Sequence, residues 1–223
     1  MPSRPDAART TMSEPFDPAA FAQELITSRH SVAPKRLRPP GPSRAQLRRM
    51  VTAAACAPDH RELAPWRLLR IAPTQRQRLG ELFEAALLAR DPDADDAARA
   101  DARAKAERAP ELLLAVVRLA PPHDDVVDTE RYVTLGAALM NLLLAAHAMG
   151  FGAMLTSGRA LRSASFARDA GLAADERPVC FVSIGTPTAA RRRARASVDE
   201  LLADWAPAGS APGAGAADCG PDD

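Results

Sequence analysis

Lysine is almost missing from this 223-residue chain. It occurs only at Lys35 and Lys105, so the 29 cationic residues are nearly all arginine. With alanine abundant as well, this bias reads as coding preference and not as function. The 28 acidic residues bring the formal net charge to +1, which leaves no electrostatic basis for binding nucleic acid or a membrane surface. Cysteine is scarce too: Cys56, Cys180 and Cys219 form no CxxC pair, and an odd number closes no disulfide framework, so a reducing compartment is expected. No apolar run reaches the roughly 18 residues of a membrane span, and residues 1–14 lack a signal-peptide hydrophobic region. These absences predict a soluble, cytoplasmic protein. There is no GxGxxG after a strand, no GxxxxGK[ST], no HExxH and no GxSxG, which argues against a Rossmann dinucleotide domain and a P-loop. The four histidines, His30, His60, His123 and His147, lie far apart without the i, i+3 or i+4 pairing of metal ligands, so no metal site is expected.

What is present is a globular balance, 47% hydrophobic and 26% charged, on a length that suits one domain with tails. Residues 1–15 and 206–223 read as disordered tails, and 16–205 as a single domain. Helices are expected over residues 17–28, 43–56 (opening on Ser43), 74–90, 129–149, 163–170 and 197–205, the last with Ser197 and Glu200 spaced as a capping box. Strands are expected at 66–72, 111–119, 153–157 and 179–184. The Asp-rich stretch 91–96 interrupts the third helix, and the polar segment 97–108 is either an exposed helix or a mobile excursion that covers something. The helix over 129–149 is apolar almost all round, which points to a core or a subunit interface. Helices and strands mingle without strict βαβ alternation, which favours an α+β layer architecture.

A set of short segments, none specific alone, carries more information through its order and spacing: Arg29-His30-Ser31, Ala57-Pro58-Asp59-His60, Pro65-Trp66-Arg67, the run from Asn141 to Ala146, Gly150-Phe151-Gly152, Thr156-Ser157-Gly158 and Ile184-Gly185-Thr186-Pro187. Over residues 21–186 this set resembles the FMN-dependent nitroreductases, in particular their compact bacterial branch. The resemblance implies a three-layer α/β/α fold with a mainly antiparallel central sheet and an intertwined homodimer. It implies FMN as cofactor, NAD(P)H as reductant and a small electron-poor acceptor, by ping-pong hydride chemistry.

Site residues follow from the same resemblance. Arg29, His30 and Ser31 would contact FMN, although a helix C-terminus also carries Arg or His simply to complement its dipole. Cys56 and His60 would approach the flavin held mainly by the other subunit, Cys56 by position more than by chemistry, since a lone cysteine is usually packed core. Leu155, Thr156 and Ser157 would line the flavin, and Ala145, Ala146, His147, Ala148, Met149 and Gly150 match a stretch associated with the nicotinamide cofactor, where His147 also reads as a satisfied core histidine. The flavin carries the reaction, so no side chain is assigned as a catalytic acid or base. Three positions depart from the family pattern. Ala64 stands where an Asn or Gln is usual, and Leu155 and Thr156 replace an aromatic and a basic residue, which predicts a pocket less aromatic and less cationic. Trp66 reads as core packing. The run Arg191, Arg192, Arg193 and Arg195 is either a solvated face or a phosphate contact. These departures keep open other flavin reactions on the same scaffold, such as dehydrogenation or dehalogenation. They also keep open a flavin-binding or flavin-free dimer without turnover.

Overall fold

The computed structural model describes residues 16–122, 124–188 and 194–205. The two expected tails, His123, Cys219 and Arg191 to Arg193 lie outside the described residues. The chain divides into two compact units, Met1–Arg191 and Arg192–Asp223. In the second, the described residues hold one helical turn, Val198–Leu201, shorter than expected, with the Ser197 amide donating to the Glu200 carboxylate at 2.8 Å.

In the first unit the local signals set most element ends. Helix α1, Pro18–Ser28, starts at Asp17, whose carboxylate accepts from the amides of Ala19 and Ala20, with Pro18 in the first turn where its missing N–H costs nothing. A two-residue strand β1, Leu37–Arg38, follows, then α2, Arg44–Ala55, opened by a reciprocal capping box between Ser43 and Gln46. Strand β2 is Trp66–Arg70, α3 is Arg76–Leu88 and α4 is Asp96–Ala104, capped by Asp95. Strand β3, Glu111–Arg118, has seven of its eight residues buried, as its continuous apolar run requires of a central strand. Helix α5 is Asp128–Ala148, β4 is Gly152–Thr156, α6 is Ala164–Asp169 and β5 is Glu176–Pro187, twice as long as its apolar centre suggested.

All strand pairs are antiparallel, in the order β1-β5-β3-β2 with β4 also paired to β5. Long β5 pairs β3 along one side; along the other it pairs β4 from Phe181 to Gly185 and then β1 through Thr186 and Pro187. Alternation along the strands sends two sets of side chains to opposite faces. Leu113, Ala115, Val117, Val182 and Ile184 pack with Met50 of α2 and with Leu135, Leu139 and Leu142 of α5. On the other face Leu112, Leu114, Val116 and Phe181 pack with Leu79 and Leu82 of α3 and Phe166 of α6. The result is the expected α+β arrangement, an antiparallel sheet between two helical layers.

Gly152 and Gly185 face each other across β4 and β5 because nothing larger fits. A Cβ on Gly152 would stand 2.9 Å from Val32, and one on Gly185 would stand 2.8 Å from Pro110. Gly152 therefore opens β4 and does not help to end α5. That helix stops at Gly150, whose φ of +81° an L side chain rarely adopts. Among the described residues no helix is long and apolar enough to cross a membrane, and no His/Cys/Asp/Glu group could hold a metal ion.

Candidate functional site

The strand β4 edge gathers the first half of the predicted set. The backbone of Ser31 bridges in parallel to Ala153, and the Val32 amide donates to the Ala153 carbonyl at 3.0 Å, so residues 29–34 run beside the strand. At the upper end of this segment Ser28 Oγ and His147 Nε2 share a hydrogen bond of 2.8 Å, and His30 Nδ1 lies 3.2 Å from the Ser28 carbonyl. The His30 and His147 rings meet edge to face with centroids 6.4 Å apart. His30 Nε2 is buried and has no hydrogen-bond partner among the described residues, an open valence of the kind a ligand fills. Burial, then the neighbouring His30 and Arg29, hold the His147 imidazolium below its ordinary pKa, so the ring favours its neutral form. Arg29, His30 and Ser31 are thus brought beside the last turn of α5, where the 145–150 stretch ends. Within that stretch Ala146 is fully buried core, while Ala148 and Gly150 are exposed.

Further along the same edge, Pro34 and Thr156 enter the wall of a cavity of about 530 Å³. Its floor is apolar, made by Phe83 and Leu87 of α3, Leu112 of β3 and Phe181 of β5. Its rim is basic, with Arg90, Lys105, Arg108 and Arg159 against the single carboxylate of Asp101. Ser157 is exposed at the strand end, and Gly158 leaves open space where a side chain would stand. Leu155 points instead to the α2/α5 core, as strand alternation demands once Thr156 faces the cavity. Of the two departures on β4, only Thr156 therefore lines this cavity. Phe83, Phe181 and four cations from other elements give the cavity its aromatic and basic character, which no local motif announces.

The polar segment 97–108 is helix α4 followed by a tight turn, and it forms one wall of this cavity. It is held against α3 by Glu84, which accepts from Arg99 Nε at 2.7 Å and Arg103 Nη1 at 2.6 Å. Hydrogen bonds from Arg103 and then Arg99 keep the Glu84 carboxyl below its usual pKa. The sequence leaves an exposed helix or a mobile excursion open; the structure shows the helix, and nothing in the sequence singles out its basic turn, Lys105 and Arg108.

Cys56 and His60 sit elsewhere. Cys56 is exposed at the end of α2, and His60 Nδ1 lies 2.7 Å from the Glu130 carboxylate in the first turn of α5. Glu130 and His147 lie in the first and last turns of one helix, about 25 Å apart at 1.5 Å per residue. One chain therefore does not bring His60 to Arg29. The His60 loop is conformationally strained: Arg61, Glu62 and Ala64 have φ of 60°, 53° and 44°. Asp59 ties the loop off by accepting from the Ala64 amide at 2.6 Å.

This layered fold agrees with what comparison with known proteins finds. The sequence profile of the Nitroreductase family matches residues 26–186, from the end of α1 to the end of β5. This chain belongs to the nitroreductase family. Among its relatives, "Putative NAD(P)H nitroreductase YdjA" of Escherichia coli (strain K12) is 34% identical over 167 residues, which cover 74% of this chain and 88% of the relative. A nitroreductase-like family protein from Bacillus cereus has the same fold with a TM-score of 0.71 at 20% identity, covering 87% of this chain and 99% of its own. A variant of the FMN and NADPH-dependent nitroreductase NfnB derived from sphigopyxis sp. strain HMH superposes with a TM-score of 0.65 at 18% identity, covering 82% of this chain and 98% of its own. At those identities the two structures speak for the fold alone.

Proposed function

We propose that this chain is an FMN-dependent oxidoreductase that takes reducing equivalents from NAD(P)H and passes them to an electron-poor acceptor such as a nitroaromatic or a quinone. The observation that carries the reading is the placement, along one strand edge, of the segment Arg29-His30-Ser31 and of an apolar, basic-rimmed cavity. An amphiphile with a phosphate at one end and a flat heteroaromatic ring at the other suits that pair. The buried, unpartnered Nε2 of His30 and the open space over Gly158 both fit such a ligand. Bound FMN would supply the hydride chemistry that no side chain here can perform.

The chain's own groups would hold and shield that ring. Arg29 and Ser31 offer a guanidinium fork and a hydroxyl to a phosphate or a polar ring edge, held in place by the Ser28–His147 bond. Thr156, Ser157 and the backbone at Gly158 offer donors at the end of β4, while Phe83, Leu87, Leu112 and Phe181 exclude water from one side. The exposed Ala148 and Gly150 leave the end of the 145–150 stretch accessible to a nicotinamide cofactor. Overall, NAD(P)H becomes NAD(P)+ and a quinone takes up two electrons and two protons, one proton from solvent.

The same reading includes a homodimer, which would let Cys56 and His60 of one copy approach the site of the other. Helix α5 turns Tyr132, Val133, Gly136, Met140 and Leu144 away from its own core, with Val133 71% exposed. Helix α1 buries no residue although it carries Phe21 and Ile26. Apolar faces of this kind mark association surfaces.

The visible spectrum of purified protein, with chromatography of any released flavin, tests the reading. About one FMN per chain and parallel steady-state lines with NAD(P)H and a quinone are expected. A colourless protein that refuses added FMN rejects it. Bound FMN that reduces chemically but turns over no acceptor would turn the reading to a binding role.

A further inference from the structure

The cavity rim carries more positive charge than its one carboxylate answers, and that charge is unevenly committed. Asp101 is shared by Lys105 Nζ at 3.2 Å and Arg108 Nη2 at 2.5 Å, so these two cations are already partnered. Arg90 reaches only the Ala86 carbonyl, at 3.4 Å. Arg159, exposed directly after β4, has no hydrogen bond or ion pair among the described residues. Two guanidinium groups thus stand without a carboxylate at the mouth of a cavity floored by Phe83 and Phe181, whose rings meet edge to face at 5.4 Å. At such a mouth an anion gains more from a guanidinium than on open surface, because the apolar floor lowers the local dielectric.

On the functional reading above, the flavin phosphate goes to the Arg29–Ser31 segment. Ser31, two residues after Arg29, lies beside Ala153, three residues before Thr156 on β4 and so about 10 Å up the strand from the cavity wall. The uncommitted rim charge is then left for the second ligand. We infer that this cavity selects an aromatic acceptor bearing its own anionic group, a nitrobenzoate or a quinone carboxylate, and that Arg159, with Arg90, recognises the anion. The inference rests on the functional reading above for the redox partner, and on the rim alone for the anion.

The test compares 4-nitrobenzoate with neutral 4-nitrobenzamide as kcat/KM ratios in the wild type, Arg159→Gln, Arg159→Lys and Arg90→Gln. Alongside it, calorimetric titration with benzoate is run on the protein as purified, and FMN and riboflavin affinities are measured. The wild type should prefer the carboxylate. Arg159→Gln should lower both that ratio and benzoate affinity about tenfold, and Arg159→Lys should recover most of each. Equal use of the two acceptors by the wild type, or a ratio unmoved in both glutamine variants, overturns the inference while leaving the flavin reading intact. If Arg159→Gln weakens FMN but not riboflavin, the rim serves the cofactor phosphate and the inference also falls. Should the protein bind no flavin, the benzoate titration still decides: binding that is weaker in Arg159→Gln supports the anion site, and no binding overturns it.

Discussion

His147 shows how one residue's environment reverses its sequence-level meaning. On an apolar helix it reads as a satisfied core histidine, and it is satisfied, but by Ser28 of α1, which ties the Arg29–Ser31 segment to α5. Because its folded pKa is lowered, the unfolded chain takes up the proton first as pH falls below the ordinary imidazole value of about 6.5. Stability from this group is therefore full above that value and declines as pH drops through the folded pKa. Urea midpoints measured from pH 7.5 to 5 should fall in the wild type, and His147→Asn should flatten that part of the curve. The cysteines differ in the same local way. Burial pushes the Cys180 thiol up to about 11, whereas Cys56 is exposed. A maleimide at neutral pH should label Cys56 in the native protein and Cys180 only after denaturation, as read by peptide mass mapping. The sequence offers His60 as well as Arg29 as a position near a flavin, and spacing gives no hint that His60 lies by α5's first turn while Arg29 lies by its last.

At the scale of elements, the strongly periodic or continuous apolar segments were legible: α2, α3, α5 and β3 fall within a few residues of expectation, since burial pattern and caps are local properties. Strand β1 was not, because two residues carry no periodicity; Leu37 and Arg38 are a strand only because Pro187 and Thr186 extend β5 past them. The 97–108 segment was left between an exposed helix and a mobile cover. Its polar face decides neither, and the contact that does, Glu84 with Arg99 and Arg103, joins residues from different helices. Glu84→Ala should release that latch without touching the sheet. Hydrogen exchange of the amides over 96–108 should accelerate several-fold while β3 stays protected, and unchanged exchange would show that Ala102 and Ala106 packing holds α4 by itself.

At the scale of the whole molecule, the outward apolar faces of α1 and α5 make association the expected state. Met140→Glu would place a charge within the α5 face and should convert a dimer seen by light scattering at micromolar concentration to a monomer, with flavin retention falling alongside if both copies build the site. A wild-type monomer would remove the dimer from the proposal. The sequence by itself determined the layered class and the presence of a strand-edge segment rich in cofactor-type groups. Alternation, caps and ordered motifs act over a few residues, and that range is enough to specify them. Only the tertiary structure decided where those groups meet. It brought Arg29 to His147 and Ser31 to Ala153, and parted them from His60 by the length of α5. It also built a basic, aromatic cavity from α3, the turn after α4 and the segment after β4. Charge and ring contacts in that cavity depend on which distant residues the sheet's register places side by side, and register is a property of the whole fold.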